Sequence, residues 1–149
     1  MFRPTFHKVN DRLLVSPQIN TAAVAEAAAL GVKLVINNRP EGESADQTPG
    51  ADIAAAAAAA GLGYIAIPVT HAGFSLNQID AMAAALAEAG DVPVLAYCRS
   101  GTRSTLLWAL TMARGGMNPA AIADAAAGAG YDVSPIRAQI DMLSGQAGD

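Results

Sequence analysis

Residues Val92–Ala113 read VPVLAYCRSGTRSTLLWALTMA. A short apolar, β-prone run leads into a polar turn, and a second apolar run follows until Gly115-Gly116 stops it. The reading is strand (Val92–Tyr97), loop, then helix to about Ala113. The loop holds the chain's only cysteine, Cys98, with Arg99 next to it, Arg103 five residues on and Gly101 between them. A strand that delivers a polar turn directly onto a helix is the repeating unit of an α/β fold.

The same alternation extends in both directions. FHKVNDRLLVS predicts a small hairpin turning at Val9-Asn10-Asp11. Asn20-Thr21 offers a cap for the helix AAVAEAAAL, which Gly31 stops. Val32–Asn37 (VKLVIN) is a buried strand by composition, followed by the turn-rich loop NRPEGESADQTPG. An alanine helix begins at Pro49 and ends near Gly61, and Tyr64–Val69 (YIAIPV) is the next strand. Ser75 caps a helix over Leu76–Ala89, ended by Gly90. Beyond the cysteine loop, Asn118-Pro119 starts a short helix to about Ala127, and Ser134-Pro135 starts a last one to about Leu143. Strands apolar enough to be covered on both faces, alternating with helices, predict a mostly parallel sheet of four to five strands flanked by helices.

Composition narrows the class. A chain of 149 residues, 52% hydrophobic, is enough for one domain, expected over 1–149. A net charge of −4 provides no basic face for nucleic acid. One cysteine excludes an internal disulfide. The start, MFRPTFHKVNDRL, has no apolar leader core, so no signal peptide and a cytoplasmic location are expected. The uncharged stretch Ile53–Ile79 is long enough to span a bilayer. Gly61, Gly63, Pro68, His71 and Asn77 interrupt it, so an alanine helix followed by a strand is the better reading, and no membrane partner is expected. Two histidines and one cysteine far apart give no metal-ligand spacing, and no cofactor is expected.

In parallel sheets, ligands bind beyond the carboxyl ends of the strands. Three loops belong there: 38–46, 70–74 and 98–103. Cys98 stands before a helix whose first N–H groups and positive dipole end face it. Arg99 and Arg103 add positive charge, and Gly101 lets the backbone of Ser100, Gly101 and Thr102 curl into an anion nest. Arg103 can fork two donors onto an oxyanion, and Ser104 can donate to a thiolate or to a departing sulfur. These are conditions under which a thiol ionises readily. The bland alternative is a buried structural cysteine, against which the two flanking guanidiniums argue.

YCRSGTRS resembles the phosphate-binding loop C-x5-R-[ST] of cysteine-based protein phosphatases, and also the C-R-x-G-x-R loop of single-domain rhodaneses. With LLVSPQI, VINNRPEGE, YIAIPV and VLAYCRSGTRS, the chain from Leu13 to about Met112 is similar to the bacterial β-lactamase hydrolase-like protein, phosphatase-like domain family. The resemblance implies a tyrosine or dual-specificity phosphatase-like fold. Members also occur fused to a metallo-β-lactamase-like persulfide dioxygenase domain, which implies a link to sulfur metabolism. PVTHAGFS, Pro68–Ser75, lines up with the phosphatase segment that carries an acidic aspartate, but His71 stands in its place. A bound phosphate would favour the protonated imidazole and let His71 serve as the acid. A loop histidine without a role is the other reading. The resemblance implies an anion contact for Arg39, while Glu43 could orient an arginine or act as an acid. Solvated loop charges are the alternative for both. Trp108 is expected to fill core beside Leu107 and Leu110, and His7 has no partner pattern.

Two chemistries fit. As a phosphatase, Cys98 attacks a phosphorylated substrate and Arg103 with the nest holds the phosphoryl oxygens. As a sulfurtransferase, Cys98 takes a sulfur from a sulfane-sulfur donor and carries it as a persulfide. The spacing C-x4-R, one residue short, and the histidine at 71 favour sulfur; the family resemblance favours phosphate. A module that binds a phosphoanion with an inert cysteine is the non-enzymatic reading.

Overall fold

The computed structural model describes residues 6–147; residues 1–5, which open the stretch read for a leader, and 148–149 lie outside it. Among the described residues there are five strands: β1 (His7–Asn10), β2 (Leu13–Ser16), β3 (Leu34–Asn37), β4 (Gly63–Ala66) and β5 (Val94–Tyr97). Six α-helices accompany them: α1 (Thr21–Ala29), α2 (Gly50–Ala59), α3 (Leu76–Ala89), α4 (Thr102–Arg114), α5 (Pro119–Gly128) and α6 (Arg137–Ala147). A single 3-10 turn, Ser134–Ile136, leads into α6. The strand order is β1-β2-β5-β3-β4, with β1 antiparallel to β2 and every other pairing parallel. The predicted mostly parallel α/β sheet is therefore present.

Strand alternation creates two cores. On β5, Leu95 and Tyr97 face one layer while Val94 and Ala96 face the other. On β3, Val35 and Ile36 divide in the same way. The first layer packs the small faces of α1 (Ala23, Val24, Ala27) and α2 (Ile53, Ala57) against the sheet. Alanine suits this position because it has high helix propensity and lets the helices lie close to the strands. The second layer holds Ile79 and Met82 of α3, Leu107, Trp108 and Leu110 of α4, and Ile122 and Ile140 from α5 and α6. Trp108 fills core as expected.

The caps read from sequence are in place. The Asn20 side chain accepts the Ala23 N–H at 3.0 Å, and Ser75 with Gln78 forms a reciprocal capping box at the start of α3. Asn118 accepts from Ala120 and Ala121 at the start of α5. Three strands are shorter than expected. β3 starts at Leu34 rather than Val32, whose N–H instead donates to the Ala27 carbonyl at the end of α1. β4 stops at Ala66 rather than Val69, although Ile67 and Val69 still donate to the carbonyls of Asn37 and Asn38. Pro68 between them has no N–H and interrupts the regular ladder. Pro93 delays the start of β5 to Val94 in the same way. The Ile53–Ile79 stretch divides into α2, β4 and the start of α3. No helix among the described residues is long and apolar enough to cross a membrane.

Candidate active site

The topology brings the cysteine loop to the centre of the sheet's carboxyl edge. β5 lies between β2 and β3, and Tyr97 at its end pairs with Ser16 on one side and Asn37 on the other. Backbone bonds continue past the strand ends on both flanks. Cys98 N–H donates to the Ser16 carbonyl at 3.4 Å, Gln18 N–H to the Arg99 carbonyl at 3.2 Å, and Asn38 N–H to the Tyr97 carbonyl at 2.8 Å. The loop is thus held at its root from two directions before it turns into α4.

Cys98 is fully buried. The Gly101 N–H donates to its sulfur at 3.1 Å. Gly101 has φ +92°, the left-handed region, and serves as the N-cap of α4. That conformation turns its N–H back toward the loop interior, and glycine adopts it without steric cost. The Ser100 hydroxyl donates to Thr102 Oγ1 at 3.0 Å and accepts the Thr102 N–H at 3.3 Å, bracing the outer rim. Arg99, Ser100 and Thr102 are exposed, whereas Ser104 is buried and its hydroxyl has no hydrogen-bond partner.

Arg103 is fixed by three bonds. Its two terminal nitrogens each donate to one oxygen of Glu43 at 2.8 Å, and Nη1 also donates to the Val69 carbonyl at 2.7 Å. Glu43 in turn accepts from Arg39 Nε at 2.9 Å. The remaining Arg39 nitrogens donate to Gln18 Oε1 at 3.0 Å and Ser44 Oγ at 3.1 Å. Arg39 is only 4% exposed, and its guanidinium is committed to the Glu43 clamp and its surroundings. The hydrogen bond from Arg103 is the main cause that holds the Glu43 carboxyl at about 2, with Arg39 adding to it against the effect of burial. Glu43 is therefore held as a carboxylate, and its two oxygens orient both arginines. Arg103 is shifted upward by its bond to Glu43, and the sulfur of Cys98 adds to that shift.

His71 is exposed in the turn after β4. That loop is tied to the site where Val69 accepts from Arg103, to β3's end where the Val69 N–H donates to the Asn38 carbonyl, and to α3 where the Gln78 side chain donates to the Pro68 carbonyl at 3.0 Å. The structure thus gathers Cys98, Gly101, Arg103, Glu43 and Arg39 into one connected assembly and leaves His71 on the adjoining loop. One neighbour escapes sequence reasoning. Tyr131, in the turn after α5, donates from its hydroxyl to the Ser100 carbonyl at 3.0 Å. The His7 ring lies 5.6 Å from the Tyr131 ring, edge to face. No motif marks either residue, and only the fold brings residues 7, 100 and 131 together.

A mostly parallel five-stranded sheet flanked by helices, with a buried cysteine loop at its carboxyl edge, places the protein among phosphatase-like domains of the protein tyrosine phosphatase fold. Structural relatives agree. A candidate phosphatase from Neisseria meningitidis superposes with a TM-score of 0.79 at 34% identity, over 92% of this chain and 96% of that one. Pseudomonas aeruginosa TpbA, solved in complex with phosphotyrosine, shares the fold at 18% identity and a TM-score of 0.66, over 97% of this chain and 90% of that one. The chain belongs to the β-lactamase hydrolase-like protein, phosphatase-like domain family, whose model matches residues 5–115. A curated relative, the β-lactamase hydrolase-like protein of Xylella fastidiosa, is 40% identical over 104 residues, which is 69% of this chain and 24% of that protein. The chain thus matches about a quarter of the length of such relatives.

Proposed function

We propose that the chain is a cysteine-dependent hydrolase of phosphomonoesters. The observation that best supports this reading is the buried Cys98 sulfur under the Gly101 N–H, beside an arginine fixed by Glu43. The thiolate attacks phosphorus, the S–P bond forms and the P–O bond to the alcohol breaks. Arg103 and the N–H groups of the loop hold the phosphoryl oxygens as charge develops on them. Arg39 acts through Glu43 rather than on the anion. His71 is the proton donor for the leaving alcohol, since Glu43 is held ionised. Water then cleaves the S–P bond and releases phosphate. Ser104, with its unpartnered buried hydroxyl, donates to the sulfur as it leaves. Phosphotyrosine bound to the same fold in TpbA supports a phosphorylated substrate.

A second reading follows from the loop length. Four residues between Cys98 and Arg103 enclose a smaller ring than the five of the phosphatase pattern, and a persulfide sulfur is smaller than a tetrahedral phosphate. In that reading Cys98 carries a sulfane sulfur to a thiol or to cyanide, and no acid is required.

One preparation tests both. Aryl phosphate hydrolysis is measured beside sulfur transfer from thiosulfate to cyanide, with Cys98→Ser as the control. Hydrolysis that disappears in Cys98→Ser, and falls on the order of a hundredfold in Arg103→Ala, is the expected result. Full hydrolysis by Cys98→Ser protein would refute it. A mass increment of one sulfur on Cys98, with no hydrolysis, would establish the second reading instead.

A further inference from the structure

The Ser100–Gly101 peptide is bonded at both ends. Its carbonyl accepts from the Tyr131 hydroxyl at 3.0 Å, and its N–H donates to Cys98 Sγ at 3.1 Å. No peptide bond among the described residues is cis, so the two bonds lie on opposite sides of one planar unit. We infer that Tyr131 is a positioning residue for Cys98: its hydroxyl orients and polarises the Ser100–Gly101 peptide, so that the Gly101 N–H is aimed at the sulfur and donates more strongly to it. Hydrogen bonds in a chain strengthen one another by polarisation, and here a single peptide unit separates the phenol from the thiol.

Three further features converge on the same arrangement. Gly101 leaves the room that Tyr131 occupies, because a Cβ there would overlap the Tyr131 hydroxyl and lie 2.8 Å from its Cζ. Glycine at 101 therefore serves the close approach of this ring as well as the left-handed turn. The phenol is shifted upward chiefly by burial and then by negative charge on Cys98, as expected for a hydroxyl that keeps its proton beside the loop. The ring is also held from behind: the Tyr131 N–H donates to the Ala126 carbonyl at 2.9 Å, and His7 packs edge to face against it. The titratable and charged groups that act on the sulfur are then Arg103 from α4, with Glu43 and Arg39 behind it, and Tyr131, backed by His7. Arg99 lies on the exposed rim.

The inference rests on the proposed role of Cys98 as the reacting thiol, but its test needs no turnover. Iodoacetamide alkylation of Cys98 is followed by intact mass across a pH series in the wild type and in Tyr131→Phe, which retains the ring and deletes the hydroxyl. Thermal unfolding controls for the fold. The expected result is a pH profile displaced upward in Tyr131→Phe, with alkylation near neutral pH slowed roughly two- to fivefold and the high-pH plateau rate unchanged. An unchanged profile would overturn the inference, as would a lower plateau without displacement, which would mean that Tyr131 controls only access. Failure of aryl phosphate hydrolysis in the wild type, with the displacement still present, would overturn the proposed reaction and leave this role of Tyr131 standing. A wild-type thiol that does not react at any pH would overturn both.

Discussion

Glu43 carries two guanidiniums at once, and its titration should be visible in the stability of the protein. Its carboxyl sits at about 2 in the folded state against an ordinary 4.5, chiefly through the Arg103 hydrogen bond. A lowered folded-state value stabilises the fold at pH above the unfolded value, and that stabilisation is lost as pH falls through the folded one. The contribution is therefore complete above about pH 4.5 and disappears toward pH 2. Glu43→Gln removes it and leaves Arg39, which is 4% exposed, without its carboxylate. A loss of about 3 kcal/mol is expected at neutral pH, because a largely buried cation loses its partner. Urea unfolding of the two proteins across this pH range should show the gap narrowing as the solution is acidified. A gap independent of pH would mean that Glu43 contributes packing alone. At Gly101, the φ of +92° and the overlap of an added Cβ with Tyr131 act together. Gly101→Ala should cost roughly 1–3 kcal/mol from the backbone alone and should misdirect the N–H aimed at the sulfur. Thermal unfolding and alkylation rate read the two effects separately.

At the scale of elements, much was legible because the signals are local. Asn20, Ser75 and Asn118 announce their helices through side chains that bond only a few residues away. Gly101 between a strand and a helix announces the turn that holds Cys98. The shortening of β4 and β5 is also encoded locally, by Pro68 and Pro93. What the sequence conceals is pairing at a distance. Nothing local places β5 between β2 and β3, yet that insertion centres the cysteine loop. Glu43 and Arg103 are sixty residues apart, so the clamp could be suspected from charge but its two-pronged geometry could not. Tyr131 is one aromatic in a turn, and its meaning comes wholly from the fold. The start of α3 shows how a local signal reaches the site. Ser75 and Gln78 cap the helix reciprocally, and Gln78 also holds the Pro68 carbonyl. Ser75→Ala should lower stability by about 1 kcal/mol. Gln78→Ala should do more than loosen the cap: it frees the tie from α3 to the loop that carries His71. Hydrogen exchange of amides 70–74 should quicken in Gln78→Ala relative to Ser75→Ala, and equal rates would mean that the bonds of Val69 to Arg103 and Asn38 fix this loop without Gln78.

The family match ends at residue 115, at the close of α4, but the core does not end there. α4 is buried on almost every side: Leu107, Trp108, Ala109, Leu110 and Ala113 are all at most 2% exposed. Part of that cover comes from beyond the matched region. Ile122, Val133, Ile136, Ile140 and Leu143 belong to the same core cluster as the sheet residues Val94 and Ala96. Burying side chains of this size contributes about 2 kcal/mol each, so the five together contribute on the order of 10 kcal/mol. That is comparable to the whole net stability of a typical domain, about 5–15 kcal/mol. The segment also supplies Tyr131 to the cysteine loop. A chain truncated after Gly115 should therefore lose cooperative folding as well as a peripheral helix pair. It is expected to melt without a sharp transition, to bind a hydrophobic dye such as ANS, and to alkylate Cys98 without a defined pH profile, because the thiol is no longer enclosed. The three readouts belong together, since one core supports both the fold and the loop. A truncated protein that melts cooperatively and retains the wild-type alkylation profile would show that the helices after residue 115 pack on an already complete domain.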